Sequence, residues 1–169
     1  HISNCMQTLM IHEFNPRFVV LNVKHFDTIT YDDGLKSQMY HRRKFTTKRK
    51  IFFICPKFIE QGHNDIGQEC MTLTDVKMLI DEGYEIGAHS YSHTPLETFD
   101  SLSKQVEYMT QDTEACISWF KEHIGTVPAS FCFPYNNDCN EVYRAIVKKY
   151  KFTELFGVDR IPVETLPHN

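Results

Sequence analysis

Two histidines four residues apart are the clearest sign of chemistry in this chain of 169 residues. His89 and His93 follow a short apolar stretch, residues 84–87, that is typical of a strand. If the segment after the strand enters a helical turn, side chains at i and i+4 share one face, and two neutral imidazoles can bind one divalent ion. A catalytic site of the zinc type uses three protein ligands and leaves one position open, so this pair requires a third ligand.

Adjacent carboxylates at Asp32 and Asp33 are the best candidates for the missing ligand. An alternation of apolar and polar residues over 26–30 predicts a strand that leads into them, and Gly34 follows. At the end of a strand, two neighbouring carboxylates can reach one cavity and do different work, one binding a metal and the other accepting a proton. Taken alone, however, an Asp-Asp-Gly triplet is more often a turn, and an isolated histidine pair is more often structural.

A third segment, Phe131-Cys-Phe-Pro-Tyr135, changes that balance. Together with Thr30-Tyr-Asp-Asp33 and His89-Ser-Tyr-Ser-His93, it forms an ordered set that resembles the polysaccharide deacetylase family, the NodB-homology domain of carbohydrate esterase family four. The signatures of that family are T-F-D-D, H-[ST]-x-x-H and R-x-P-[YF]. The second is matched fully, the first differs only by a tyrosine for phenylalanine, and the third has Cys132 in place of the arginine. The resemblance extends over most of the chain.

The resemblance implies a hydrolase that acts on linear amide C–N bonds and removes N-acetyl groups from the amino sugars of a polysaccharide or glycan. The partner would be the N-acetylated glycan itself, and the cofactor would be one divalent metal ion. With two imidazoles and one carboxylate as ligands, zinc is the first expectation, although cobalt, nickel or iron would also suit a mixed nitrogen and oxygen site.

The resemblance also assigns roles to the residues of the motifs. Asp32 would be the general base that takes a proton from water, and the backbone N–H of Tyr135 would stabilise the oxyanion. The expected metal ligands are Asp33, His89 and His93.

The arginine that orients the base in the family is missing, because Cys132 stands at its position. Arg160 follows the last confidently predicted strand, so a side chain from a neighbouring strand could take over this task. We therefore expect Arg160 to contact the base, as a hypothesis that is based on its position alone.

The general acid has two candidates. The run Leu-Met-Ile-His-Glu at residues 9–13 resembles the first strand of circularly permuted poly-N-acetylglucosamine deacetylases, in which the motif with the acid histidine lies on the first strand. This resemblance favours His12. The alternative is His168 in Leu166-Pro-His168, which matches the usual L-x-H acid motif but lies one residue from the end, where chains commonly fray.

The remaining pattern predicts an α/β fold. Apolar runs of strand length alternate with amphipathic stretches of helix length, which favours a parallel sheet. About seven strand candidates and the family resemblance imply a distorted, TIM-like (β/α) barrel that forms one catalytic domain over residues 1–169. The candidate residues follow predicted strands, and such barrels keep their chemistry at the carboxyl ends of the strands.

Composition limits the other possibilities. The net charge of −4 and the isoelectric point near 6.1 give no electrostatic sign of a nucleic-acid partner. The basic cluster over residues 42–50 is most simply a solvated surface, or it could attract an anionic glycan or lipid head group. No run is long enough for a transmembrane segment, and no stretch of the given sequence has the pattern of a signal peptide. Together with six irregularly spaced cysteines, this leads us to expect a reducing, cytoplasmic compartment. The oligomeric state stays open.

Two alternative functions share the same residues. One is hydrolysis of a different amide, such as a formamide on a lipid-linked sugar, which release of formate in place of acetate would reveal. The other is a retired enzyme that binds glycans without cleaving them, which the missing arginine suggests. The adjacent pair Asp32 and Asp33 argues against retirement, because a site that only binds has little need of a base beside its metal ligand.

Overall fold

Short runs rich in β-branched and aromatic residues form one parallel sheet. The structure, a computed structural model, describes residues 7–14, 25–45 and 48–166. Its strands are β1 (Thr8–Ile11), β2 (Thr28–Tyr31), β3 (Arg49–Ile54), β4 (Glu85–Ala88), β5 (Ser130–Cys132), β6 (Glu154–Phe156) and β7 (Arg160–Pro162). They lie in the order β6-β5-β4-β3-β2-β1-β7, and every neighbouring pair is parallel. The sheet curls into a half-barrel within a single α/β domain, which confirms the predicted distorted barrel of about seven strands.

The central strands are covered on both faces, as continuous apolar runs predict. In β3 every side chain from Ile51 to Ile54 is 0% exposed. Tyr31 of β2 stacks on Phe52 of β3, with the ring centroids 4.5 Å apart and the planes within 5°. This packing fixes the strand ends from which the site residues project.

The connections between strands are largely helical. They contain α1 (Lys36–Tyr40), α2 (Pro56–Gln61), α3 (Leu73–Asp81), α4 (Leu102–His123) and α5 (Glu141–Lys148). Helix α3 begins with a capping box, in which Thr72 and Asp75 exchange hydrogen bonds between side chain and backbone N–H. Across the described ranges, no helix is both long enough and apolar enough to cross a membrane.

Two helices begin at residues suited to the position. Pro56 is the first residue of α2, a position where the missing N–H of proline costs nothing. Helix α5 is capped by Asn140, whose Oδ1 accepts two backbone N–H groups of the first turn. Asp138 accepts a hydrogen bond from the Val158 N–H at 3.0 Å.

The carboxyl ends of parallel strands meet at one edge of the sheet, and the candidate residues gather there. His12 follows β1, Asp32 follows β2, and His89 follows β4. Arg160 is the exception, because it begins β7 in register with Thr8 at the amino end of β1. Its long side chain therefore has to extend along the sheet toward the carboxyl edge.

The basic cluster around the start of β3 forms ion pairs with acidic residues. Arg49 binds both Glu85 and Glu154, with N–O distances of 2.7 Å, and Arg42 binds Glu82 at 2.7 Å. Glu85 and Glu154 begin β4 and β6, so these pairs join the amino ends of the strands, at the edge opposite the candidate site. An anionic partner at this cluster stays a prediction, and these carboxylates already neutralise part of its charge.

The cysteines of the described residues are free thiols, in agreement with their irregular spacing. Four of them are buried, while Cys139 is exposed. Cys5 lies outside the described residues. The buried cysteines act as small core residues, as expected for thiols in apolar segments; they are Cys55, Cys70, Cys116 and Cys132.

Gly87 of β4 occupies a point where the sheet has no room for a side chain. A Cβ atom there would lie 2.4 Å from two ring carbons of Phe53, which is fully buried on β3. We expect Gly87→Ala to lower the free energy of unfolding by about 1–3 kcal/mol, as overpacking commonly does, measured by urea titration. If the Phe53 ring is the cause, the double variant Gly87→Ala/Phe53→Leu will lose less free energy of unfolding than the two single variants lose in sum. Strict additivity would contradict this explanation.

Candidate metal and catalytic site

His89 and His93 converge through an irregular loop. The helical turn that would place them on one face does not form after β4, because residues 89–93 contain no helix and both Ser90 and His93 have positive φ angles, 62° and 55°. The Ser90 hydroxyl accepts a hydrogen bond from the His93 N–H at 2.9 Å and closes the loop. The imidazole centroids lie 4.9 Å apart. The spacing of four thus brings the rings together by a different backbone route.

Asp33 faces both imidazoles. Its Oδ1 lies 3.2 Å from His89 Nε2 and 3.4 Å from His93 Nε2. This buried oxygen has no hydrogen-bond partner among the described residues. Ligand bonds of about 2.0–2.2 Å in tetrahedral geometry place donor atoms roughly 3.3–3.6 Å apart. The two distances and the orphaned oxygen therefore fit a divalent ion.

The protonation of the three side chains determines how they can bind a metal. His89 Nδ1 lies 2.7 Å from the Cys132 carbonyl oxygen, so this nitrogen donates there and Nε2 faces Asp33. Burial alone would lower the pKa of His89, but Cys132 and the Asp33 and Asp32 carboxylates outweigh it and raise the pKa well above its ordinary value, so a metal ion must displace the proton from Nε2. Burial, together with the nearby His89, lowers the pKa of His93 to about 4, which keeps that imidazole neutral. Burial alone would raise the pKa of Asp33, but the two histidines outweigh it and lower the pKa to about 2. Neutral imidazole and ionised carboxylate are the forms that bind metals.

Two buried thiols lie next to these donors. Cys55 forms a group with Asp33 and His89 whose potential ligand atoms all lie within 4.8 Å of one another, and Cys132 forms another with Asp32 and His89. Burial raises the pKa of both thiols. Because the thiolate and not the thiol is the metal ligand, this protonation leaves the aspartate and the two histidines as the favoured donors.

Arg160 and Asp32 form a buried ion pair beside these donors. Arg160 Nη1 donates to Asp32 Oδ1 at 2.7 Å and to Thr30 Oγ1 at 3.2 Å, and the two charged side chains are only 3% and 2% exposed. Burial alone would raise the pKa of Asp32, but the charges of Arg160 and His89 and the hydrogen bond outweigh it, so this pKa lies below its ordinary value. Cys132 Sγ lies 3.9 Å from the same carboxylate. Arg160 and Cys132, the residue at the position of the family's arginine, therefore both contact the Asp32 carboxylate.

His12 lies on the other side of Asp32. Its Nε2 is 3.8 Å from Asp32 Oδ2, and its side chain is 41% exposed. The buried Gln38 of α1 donates to the carbonyl oxygens of both residues, at 2.7 Å to His12 and 2.6 Å to Asp32. Gln38 therefore joins the ends of β1 and β2 and keeps the two candidate residues together.

Tyr135 lies next to the histidine loop. Its hydroxyl donates to the His93 carbonyl oxygen at 3.2 Å, and the two rings are 4.6 Å apart. Tyr135 and Asn136 have φ angles of 57° and 53°, so the chain turns sharply where it passes the site.

These strand ends enclose a cavity of about 280 Å³. A second cavity of about 360 Å³ shares part of its wall and extends outward past Glu13, Asp65 and Glu164. The inner cavity is lined by Met10, His12, Asp32, Asp33, His89, His93, Phe133, Tyr135, Asn136 and Arg160. The candidate site is therefore continuous with a groove that could receive the rest of a larger substrate.

The predicted residues within the described ranges come together at this cavity, while His168 lies outside those ranges. Sequence reasoning missed Gln38 and also Asp112 of α4, which binds the histidine loop. Their contacts join elements that are distant along the chain, so no local motif marks them.

Comparison with known proteins agrees with the motifs. The family model described as polysaccharide deacetylase matches residues 24–155. No curated protein sequence matches the chain. The match covers most of the chain, so the protein is by class a carbohydrate N-deacetylase. It belongs to the polysaccharide deacetylase family, as the resemblance predicted.

Solved structures of other deacetylases share the fold at low sequence identity. IcaB from Ammonifex degensii is 19% identical, with a TM-score of 0.72 over 95% of this chain and 88% of that chain. A de-N-acetylase from Aggregatibacter actinomycetemcomitans is 14% identical, with a TM-score of 0.70 over 90% and 87%. The BpsB deacetylase domain from Bordetella bronchiseptica is 11% identical, with a TM-score of 0.68 over 90% and 88%.

Removing the guanidinium should leave Asp32 as an uncompensated buried charge. We expect Arg160→Ala to lower the free energy of unfolding by about 3–5 kcal/mol in urea titrations at neutral pH. The control Lys104→Ala removes an exposed pair with Asp100 and should leave the midpoint unchanged. Wild-type stability of Arg160→Ala would mean that the pair does not constrain the fold.

Proposed function

We propose that this protein hydrolyses the N-acetyl group of amino sugars in a polysaccharide, with one divalent metal ion held by Asp33, His89 and His93. The observation that carries the proposal is the orphaned Asp33 Oδ1, 3.2 and 3.4 Å from two imidazole nitrogens. The buried, ion-paired Asp32 lines the same cavity. A metal site, a base and an acid at one cavity are the components that amide hydrolysis requires.

The metal would supply Lewis-acid chemistry. When bound, a divalent ion polarises a carbonyl oxygen and lowers the pKa of water from about 15.7 toward about 7. Zinc is our first choice because two histidines and one carboxylate are a typical catalytic zinc set, and cobalt, nickel or iron could take its place.

Asp32 is the proposed general base. Arg160 binds its Oδ1, which orients the carboxylate and keeps it ionised, while Oδ2 points toward the His12 side of the cavity. The carboxylate takes a proton from the attacking water as the water oxygen bonds to the amide carbon. A positioned base of this kind contributes about 10²–10⁴-fold to the rate.

His12 is the proposed general acid. As the C–N bond of the acetamide breaks, its electron pair stays on nitrogen, and the sugar amine must gain a proton. The partly exposed His12 ring lines both the inner cavity and the outer groove, so it can reach a leaving group that extends outward. The products are acetate and the free amine.

The backbone N–H of Tyr135 is the proposed donor to the oxyanion. Tyr135 lies in the turn after β5 and lines the cavity, and its backbone has a left-handed conformation. A main-chain donor of this kind is held by the fold and needs no side-chain rearrangement during the reaction.

We infer that the catalytic domain extends over residues 1–169, beyond the family match. His12 and Arg160 lie outside residues 24–155, yet both contact Asp32. A fragment limited to the matched residues would lack the proposed acid and the partner of the base.

A retired glycan-binding module is the less favoured alternative. A carbohydrate esterase family 4 pseudoenzyme from Bacillus anthracis has a related fold, 13% identical with a TM-score of 0.56 over 91% of this chain and 44% of that chain. The fold alone therefore does not separate active from retired proteins. The buried Asp32, kept ionised by Arg160 beside the metal donors, supports an active enzyme.

Metal content tests the ligand set. We expect elemental analysis to give one divalent ion per wild-type chain and to give little or none in His89→Ala and His93→Ala. His63→Ala, which removes an exposed histidine near the outer groove, is the matched control and should retain the ion. Wild-type protein that takes up no added metal, or variants that retain it fully, would overturn the proposed site.

Product release tests the reaction and the two proton-transfer roles. Wild-type protein should release acetate from N-acetylglucosamine oligomers, and Asp32→Asn and His12→Ala should each lower the rate by about 10²–10⁴-fold while keeping the metal. Formate from formylated sugars, without acetate, would instead favour the deformylase. A His12→Ala variant with the wild-type rate would transfer the acid role to His168, which His168→Ala would then test.

A further inference from the structure

A buried carboxylate beneath the histidine loop has no part in the proposed reaction. Asp112 lies in the middle of α4 and is 7% exposed. Its Oδ2 accepts the backbone N–H of Tyr91 at 2.8 Å, and its Oδ1 accepts the backbone N–H of Ser92 at 3.0 Å and the Ser92 hydroxyl at 2.7 Å. All three donors belong to the segment between the two histidines.

The backbone of that segment is in an unfavourable conformation. Ser90 and His93, on either side of the two bound amides, have positive φ angles of 62° and 55°, which residues with a Cβ atom adopt at a cost. Such conformations persist only where surrounding contacts hold them. Two successive N–H groups in a turn of this kind form a concave site for an anion, and here the anion is the Asp112 carboxylate.

The contacts continue from Asp112 to the rest of the loop. The Ser92 hydroxyl is 2.8 Å from Thr94 Oγ1 and 3.2 Å from Tyr108 Oη, and Tyr108 Oη accepts the Thr94 N–H at 3.2 Å. Tyr108 and Asp112 are one helical turn apart on α4. One face of a rigid helix thus binds residues 91, 92 and 94, immediately around His93.

Apart from its contacts with the loop, an aspartate at position 112 is unfavourable in α4. Aspartate has low helix propensity, and burial disfavours its charged form and so raises its pKa. Its position is explained by the loop donors that it binds. The stability of α4 by itself would favour an apolar residue.

We propose that Asp112 is a positioning residue for the metal site: by holding the strained loop, it sets the separation of the His89 and His93 imidazoles. This inference rests on the proposed function, because it concerns the ligands of the proposed metal. Asp112 touches neither the imidazoles nor the cavity, so its effect is transmitted through the loop backbone.

The test compares Asp112→Ala and Asp112→Asn with the control Thr113→Val. Thr113 is the adjacent, fully buried polar residue of α4, and its hydroxyl binds the Met109 carbonyl within the helix, away from the loop. We expect the affinity for Zn²⁺ to fall about 10-fold or more in Asp112→Ala, as is typical when residues that orient metal ligands are removed. The amide of Asp112→Asn keeps one acceptor, so its loss should be smaller, and Thr113→Val should keep wild-type affinity. The absorption bands of bound Co²⁺ should shift in the Asp112 variants only.

Hydrogen exchange supplies a readout that does not depend on metal. In metal-free protein, the amides of residues 91 and 92 should exchange faster in Asp112→Asn than in wild type, whereas the core of β3 should keep its protection.

If Asp112→Ala does not fold, Asp112→Asn and Ser92→Ala are compared with wild type in its place. Wild-type Zn²⁺ affinity, unchanged Co²⁺ bands and unchanged exchange in folded Asp112 variants would overturn the inference. Failure of the wild-type protein to bind metal would overturn the proposed function instead, and the exchange result would still decide whether Asp112 holds the loop.

Discussion

The buried ion pair between Arg160 and Asp32 is the constraint on which the site depends. Taking a carboxylate out of water costs several kcal/mol unless a partner compensates it, and a neutral carboxylic acid could not act as the proposed base. Arg160 meets both needs through a 2.7 Å hydrogen bond across 128 residues of sequence. Because Arg160 begins β7 and Asp32 follows β2, the pair also fixes β7 and the intervening β1 relative to the site.

Unfavourable backbone geometry is concentrated at the same place. Of the non-glycine residues with positive φ in the described ranges, all but Lys151 belong to the candidate site; they are Asp33, Ser90, His93, Tyr135 and Asn136. These residues lie in the turns that follow β2, β4 and β5, and all of them except Ser90 line the cavity. Such turns need support from behind, which the parallel sheet and the flanking helices provide through contacts such as those of Gln38 and Asp112.

Features that depend on a short stretch of sequence could be predicted, whereas contacts between distant residues could not. The strands and the family were readable because apolar runs and motifs occupy short windows of sequence. The backbone route that joins His89 and His93 was not predictable, since a spacing of four does not specify φ at Ser90. The roles of Gln38 and Asp112 were not predictable, because they depend on hydrogen-bond partners that only the folded chain brings together.

Residues near the two ends of the described chain also lie side by side in the fold. His12 follows β1 and Arg160 begins β7, and these strands pair with each other in the sheet although about 150 residues separate them. The conformational entropy lost on closing so large a loop grows only with the logarithm of the loop length. The burial of a sizeable core can therefore offset this cost. A motif order in which the proposed acid comes first is therefore physically equivalent to one in which it comes last, provided that the strand reaches the same place beside β2. The position of a residue in the sheet, and not its position in the sequence, decides which group can exchange a proton with the substrate.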